Sequence, residues 1–158
     1  MIAKGLNVAE QCHVVNILPP QDVAAGVSSD VFSMKNFSHA TIIVTAGSTN
    51  ADAGNVTVEQ CDNFTPSTHP DLAAFAYYAE TTAAGDTLAA RASGAAIDVS
   101  GNDNITYVIE IDAAELDVDT YGYLRISWSA CGGATYASAV AILSGQRYAG
   151  DANATAIA

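Results

Sequence analysis

Apolar and polar residues alternate along most of the chain with a period of two. In residues 104–112, Ile105, Tyr107, Ile109 and Ile111 fall on one side and Thr106, Val108, Glu110 and Asp112 on the other, the pattern of a strand with one buried face. Residues 123–131 repeat it, with Leu124, Ile126, Trp128 and Ala130 predicted inward and Tyr123, Arg125, Ser127 and Ser129 outward. HATIIVTA (39–46) and GNVTVEQC (54–61) are rich in β-branched residues and bounded by Gly and Asn, which predicts two more strands joined by the loop GSTNADAG. LAAFAYYAE (72–80) places Phe75 and Tyr77 on one face. TYASAVAIL (135–143) places Tyr136, Ser138, Val140 and Ile142 on one face with alanines opposite, and side chains that small let another layer approach closely. Residues 8–18, 30–34 and 95–100 predict less regular strands, the last closed by the turn Gly101-Asn102-Asp103-Asn104.

About eight or nine strands with turn signals between them, and no helical pattern of 10–15 residues, predict an all-β chain: a single-domain antiparallel β-sandwich or jelly roll. Strand content should exceed about a third and helix stay below about 15%. Short helical turns fit only at 112–116, where Asp112 can cap, and at 82–91. Pro19-Pro20 and residues 23–29 interrupt the pattern, so residues 1–22 read as an N-terminal arm or first strand, 23–148 as the sandwich body and 149–158 as a C-terminal tail. No internal repeat of 20–50 residues is visible.

The 158 residues suit one domain, large enough to fold without disulfides or a structural metal, and should expose about 7,500 Å² when folded. Hydrophobic residues make up 50% of the chain and charged ones 14%, so intrinsic disorder is excluded and much of the surface is neutral. The 17 acids against 5 bases give a net charge of −12 that opposes a phosphate backbone, so no nucleic-acid partner is expected. The apolar stretches are strand-sized, and Glu10, Gln11 and His13 interrupt the N-terminus, so neither a membrane span nor an export signal is expected. Cys12, Cys61 and Cys131, odd in number and widely spaced, read as reduced thiols of a protein folded in the cytoplasm.

Chemical signatures are sparse. His13, His39 and His69 are far apart and lack zinc-ligand spacing, and no nucleophile elbow, phosphate-binding glycine loop or His-Glu-X-X-His occurs. The expectation is therefore a non-enzymatic protein with no catalytic residues, cofactor or metal. The one acidic cluster, Asp112, Glu115, Asp117 and Asp119, has enough oxygens to begin a cation site but not the order of an EF-hand, and reads as a solvated loop. Alternation or a terminal position turns Tyr78, Tyr123 and Tyr148 outward as candidate contact anchors. Arg125 and Arg147 join them, because a planar guanidinium suits a neighbour's carboxylate, although an ion pair within the chain serves either Arg as well.

The succession VFSMKNFSHATIIVTAG (31–47), AGDTLAARASG (84–94), NDNITYVIEIDAAELDV (102–118), YLRISWSA (123–130) and SAVAILSGQRYAGD (138–151) resembles the small virion proteins of tailed bacteriophages, in particular head decoration or cement proteins. That resemblance implies a β-sandwich or jelly roll on the capsid exterior, assembled in the host cytoplasm, with the major capsid protein and further copies of itself, as a dimer or trimer, for partners. Such a protein staples neighbouring capsid subunits. The residues allow two alternatives, another phage structural component of the tail or connector, or a carbohydrate- or calcium-binding sandwich module. For a stapling role the flat neutral face and the arms 1–22 and 144–158 are the expected contact regions, with Arg147 and Tyr148 as anchors.

Overall fold

The computed structural model describes residues 5–49, 52–117, 120–147 and 156–157. Strands take up 49% of the chain and helix 5%, and two antiparallel sheets pack face to face as an all-β sandwich. The strands are β1 (His13–Asp22), β2 (Val27–Ser28), β3 (Phe32–Ser33), β4 (Phe37–Ala46), β5 (Asn55–Cys61), β6 (Phe75–Ala79), β7 (Ala92–Gly94), β8 (Ile97–Asp98), β9 (Thr106–Asp112), β10 (Tyr123–Trp128) and β11 (Tyr136–Gln146). The first sheet has the order β1-β11-β4-β9-β6-β7 and the second β2-β10-β5-β8, with β3 also paired to β10.

The two most regular patterns behave as the sequence predicts. In β9 the buried residues are Tyr107, Ile109 and Ile111, and in β10 they are Leu124, Ile126 and Trp128. Ala130, expected inward, is exposed because β10 ends at Trp128. The indole N–H of Trp128 donates to the Ala53 carbonyl at 2.8 Å, which satisfies the polar edge of the largest core side chain. On β11 the alanine side is the inner one: Ala137, Ala139, Ala141 and Leu143 are buried. The layer that approaches these small residues is the second sheet, whose Trp128, Leu124, Ile126 and Phe32 belong to the same core.

Three departures from the expected strands have local causes. Residues 8–11 form a single helical turn, α1 (Val8–Gln11), because Asn7 O accepts the Glu10 and Gln11 N–H groups. Strand β1 then runs through Pro19 and Pro20 to Asp22, which is tolerated because it is an edge strand paired only to β11. A bulge between Asn16 and Leu18 turns Ile17 and Leu18 both into the core, and this breaks the alternation that would have marked the strand. Residues 82–91 hold no helix, whereas 113–115 form the expected 3₁₀ turn, with Glu115 accepting the Asp112 N–H at 3.0 Å. Between β2 and β3, Ser29 carries the pairing across the gap: its N–H donates to Ile126 O and its Oγ accepts the Ile126 N–H. At the end of the tail, Ile157 bridges to Phe32 and Ala156 O accepts the Ser33 N–H.

Candidate contact surface

Cross-strand partners share a face, so the pairing register reads out the outer side of the first sheet. Asn16 lies beside Val140, Val140 beside Ile43, Ile43 beside Val108 and Val108 beside Tyr78. This is a row across five strands with no charged residue in it. Four of its five members are apolar or aromatic, where a solvated face would carry Lys, Glu or Thr. A second row begins with Val14 and Ile142 and continues into Thr41 and Glu110. Val14 is 52% exposed and Tyr136, at the far end of the same face, 55%. Beside Tyr136 lies a hollow of about 240 Å³ lined by Pro20, Gln21, Thr45, Gly47 and Ser138 among others. Five strands about 4.8 Å apart and about nine residues long give this face roughly 700 Å², close to the 800 Å² or so that each partner contributes to a standard interface.

The acids on this face, Glu110 in the second row and Asp112 and Glu80 towards its ends, are already engaged. The Glu110 carboxylate accepts the Thr41 hydroxyl at 2.7 Å and pairs with His39 Nε2 at 2.7 Å, while His39 Nδ1 reaches Asp112 at 2.7 Å. Glu80 accepts the Thr106 N–H at 2.7 Å. Burial alone would lower the His39 pKa, but the hydrogen bonds to Asp112 and Glu110 outweigh it and hold the imidazole above its ordinary value. A neutral row whose polar neighbours already hold hydrogen-bond partners is compatible with an interface.

Of the residues singled out from sequence, Tyr78 lies in the central row, partly exposed. Tyr123 is on the second sheet, where Phe64 packs edge-on against it at 4.8 Å and the Lys35 ammonium sits 4.7 Å above its ring. Arg125 pairs with Glu59 on the neighbouring strand, both side chains largely buried and His69 Nδ1 3.3 Å from the same carboxylate oxygen. The ion pair within the chain, which the sequence left open, is the one formed. Arg147 is exposed beyond β11, its N–H donating to Asn36 O at 2.9 Å. Tyr148 lies outside the described residues, as does Asp119 of the acidic cluster. The other acids of that cluster diverge: Asp112 turns to His39, Glu115 to the Asp112 N–H, and the Asp117 N–H bonds Gln60. Among the described residues no three His, Cys, Asp or Glu side chains converge as a metal-holding group, and no helix is long and apolar enough to cross a membrane. All three cysteines are free, and burial of Cys61 pushes its thiol up to about 11. Sequence reasoning missed the central row because its members come from five strands. The only signal was the bulky side of β11, which carries Val140 and Ile142 opposite the alanines.

No protein-family model matches the chain, and no curated protein matches it. Among solved structures the chain is similar to the SPBc2 prophage-derived protein YomS over 90% of its own length and 99% of that chain, at 10% identity and a TM-score of 0.49. It is also similar to a chain of infectious bursal disease virus, Gt strain, over 90% of its length and 44% of that chain, at 6% identity and a TM-score of 0.25. Likenesses of this degree carry no assignment of function, and the chain is placed by its architecture alone as an all-β sandwich.

Proposed function

We propose that this chain is a structural protein of a tailed-bacteriophage virion, a head decoration or cement protein that binds the outside of the assembled capsid and staples neighbouring major capsid subunits by contact alone. The observation that carries the reading is the neutral row Asn16, Val140, Ile43, Val108 and Tyr78 on the outer face of the first sheet. The resemblance of residues 31–151 to such proteins supports the phage setting, and the net charge of −12 disfavours the packaged DNA as partner. The partner is a surface of the capsid subunit that is neutral where it meets this row, because an uncharged row gains nothing from a basic patch and loses the desolvation of its charges. Residues His13–Asp22 are paired to β11 and contribute Asn16 to that row, so this segment acts as part of the sheet face. A protein that binds assembled shells and not dispersed subunits stabilises the shell by mass action.

The test is survival of heated particles carrying the wild-type protein, the Ile43→Glu plus Val108→Glu variant, or none. Wild-type particles should survive best, and the variant should neither bind nor protect. Particles equally robust without the protein, with no affinity of the purified chain for capsids, would overturn the reading and move a tail or connector role ahead. Sedimentation of the free chain reads the self-association separately: a dimer or trimer dissolved by the same substitutions would mean that copies of the chain, not capsid subunits, cover this face.

A further inference from the structure

Segments around Met34, Asp62, Ala113, Tyr121 and Arg147 line an open cavity of about 270 Å³ that shares no residue with the central row of the first sheet. Its apolar lining is Met34, Ala113 and Leu116, all buried. Its polar lining includes Lys35 and Arg147, two of the five bases in the whole chain, with Thr120 and Tyr121 beside them. Neither cation forms an ion pair among the described residues, although the chain carries 17 acids and Arg125 has found one.

The Lys35 side chain, though exposed, has a defined course. A Cβ on Gly122 would lie 3.1 Å from Lys35 Cε and 3.3 Å from its Cγ, so the stem of Lys35 lies against the bare backbone of Gly122 and would have to shift by a few tenths of an ångström to admit a side chain. The Tyr123 ring beneath the ammonium and the bond from the Lys35 N–H to Ser33 Oγ fix the remainder. The bond from the Arg147 N–H to Asn36 O joins the end of β11 to the turn that carries Lys35. Among the described residues the lining holds one carboxylate, Asp62, whose oxygens accept the Ser67 and Thr68 N–H groups and the Ser67 hydroxyl, which holds its pKa below the ordinary carboxylate value. It is bonded into its own turn, and among the described residues it forms no ion pair with Lys35 or Arg147.

We infer that this cavity binds an organic monocarboxylate, with its carboxylate between Arg147 and Lys35 and its apolar body on Met34, Ala113 and Leu116. Arg offers a two-pronged donor and Lys a point charge, a pairing suited to a single carboxylate. A phosphate dianion is the poorer ligand, because the field of a −12 chain and the nearby Asp62 penalise two charges more than one, and because phosphate leaves the apolar lining unused. The carboxylate can belong to a free small acid or to the end of a peptide chain, and the chemistry is the same for both.

The experiment follows amide NMR spectra of the full chain during titration with sodium hexanoate, with inorganic phosphate and sodium chloride at equal ionic strength as comparators. Hexanoate should give saturable shifts at Lys35, Thr120, Tyr121 and Gly122, with phosphate weaker and chloride without effect. Lys35→Met combined with Arg147→Met should weaken binding at least about tenfold, in spectra that otherwise stay those of the folded chain. Gly122→Ala, which leaves both cations present but displaces Lys35, should weaken it by less. A short apolar peptide with a free carboxyl end, compared with its amidated form, reads the source: tighter binding than hexanoate by the free end alone points to a chain end, and equal binding to a small acid. Absence of saturable shifts, an equal response to chloride, or binding undiminished in the double variant would overturn the inference.

Discussion

On β11 the two faces can be told apart by a pair of adjacent substitutions. Ala141 is fully buried and faces the second sheet, while Ile142 is partly exposed and stands between Val14 and Thr41 on the outer face. Ala141→Leu adds three carbon atoms where the sheets meet over a strip of alanines, and overpacking of this kind costs about 1–3 kcal/mol. Ile142→Thr keeps a β-branched residue on the strand and loses only lateral contacts with its cross-strand neighbours, worth about 0.2–1 kcal/mol each, so its cost should stay near 1 kcal/mol. Ala141→Leu should therefore be the more destabilising of the two, read as the lower urea midpoint. The assay is urea unfolding followed by far-UV circular dichroism and by the fluorescence of Trp128, the chain's one tryptophan. A strand slipped by one residue would exchange the faces. Ala141→Leu would then be nearly silent, and Ile142→Thr would bury an unpaired hydroxyl at about 1–3 kcal/mol besides losing apolar contact. That reversed order would refute the assignment of faces, and the contact surface with it.

Ser29→Ala should cost about 1–3 kcal/mol in the same urea assay, because it leaves the buried Ile126 N–H without its acceptor between β2 and β3; a loss too small to measure would mean that the gap closes in another way. His39 has a raised pKa in the folded chain, so its contribution is complete below about pH 6.5 and disappears as pH rises through the folded value. Urea midpoints of the wild type should therefore fall across that window more than those of His39→Gln, and parallel curves would contradict the bridge to Glu110 and Asp112. At about pH 8 a disulfide reagent should modify the partly exposed Cys12 and Cys131 well before Cys61, which should react only at the rate of unfolding. Equal rates for the three thiols, read by mass spectrometry of labelled peptides, would show that Cys61 is not enclosed.

What the sequence makes legible depends on how each strand is used. β9 and β10 lie inside their sheets with one face to the core, so a period of two is forced on every residue and their inward sets can be read directly. β11 shows the same alternation, yet the pattern does not say which side is inner, because an alanine side can pack only against a bulky layer supplied from elsewhere in the chain. The regularity of β1 is hidden by its bulge and two prolines, which an edge strand tolerates and a central one does not. β2, β3 and β8 are two residues each, too short for any periodicity, and are held by the long strands that they flank.

Functional residues follow the same logic at longer range. Arg125 stands mid-strand among Ser and Tyr and reads as an outward anchor until Glu59 appears beside it in the register of β5 and β10. Tyr78 reads the same way and stands partly exposed in the fold, because its neighbours on that side are Val108 and, beyond it, Ile43, which compete for no hydrogen bond and supply no charge. A neutral residue therefore remains available for contact when the chain folds, whereas a charged one in an acid-rich chain is claimed by an internal partner wherever the register allows. Lys35 and Arg147 belong to loops rather than to strands, where no register sets a carboxylate opposite them, and among the described residues neither forms an ion pair. With 17 carboxylates in the chain, two such bases beside one cavity are informative, because the acid that shares their described lining, Asp62, spends its hydrogen bonds on its own turn.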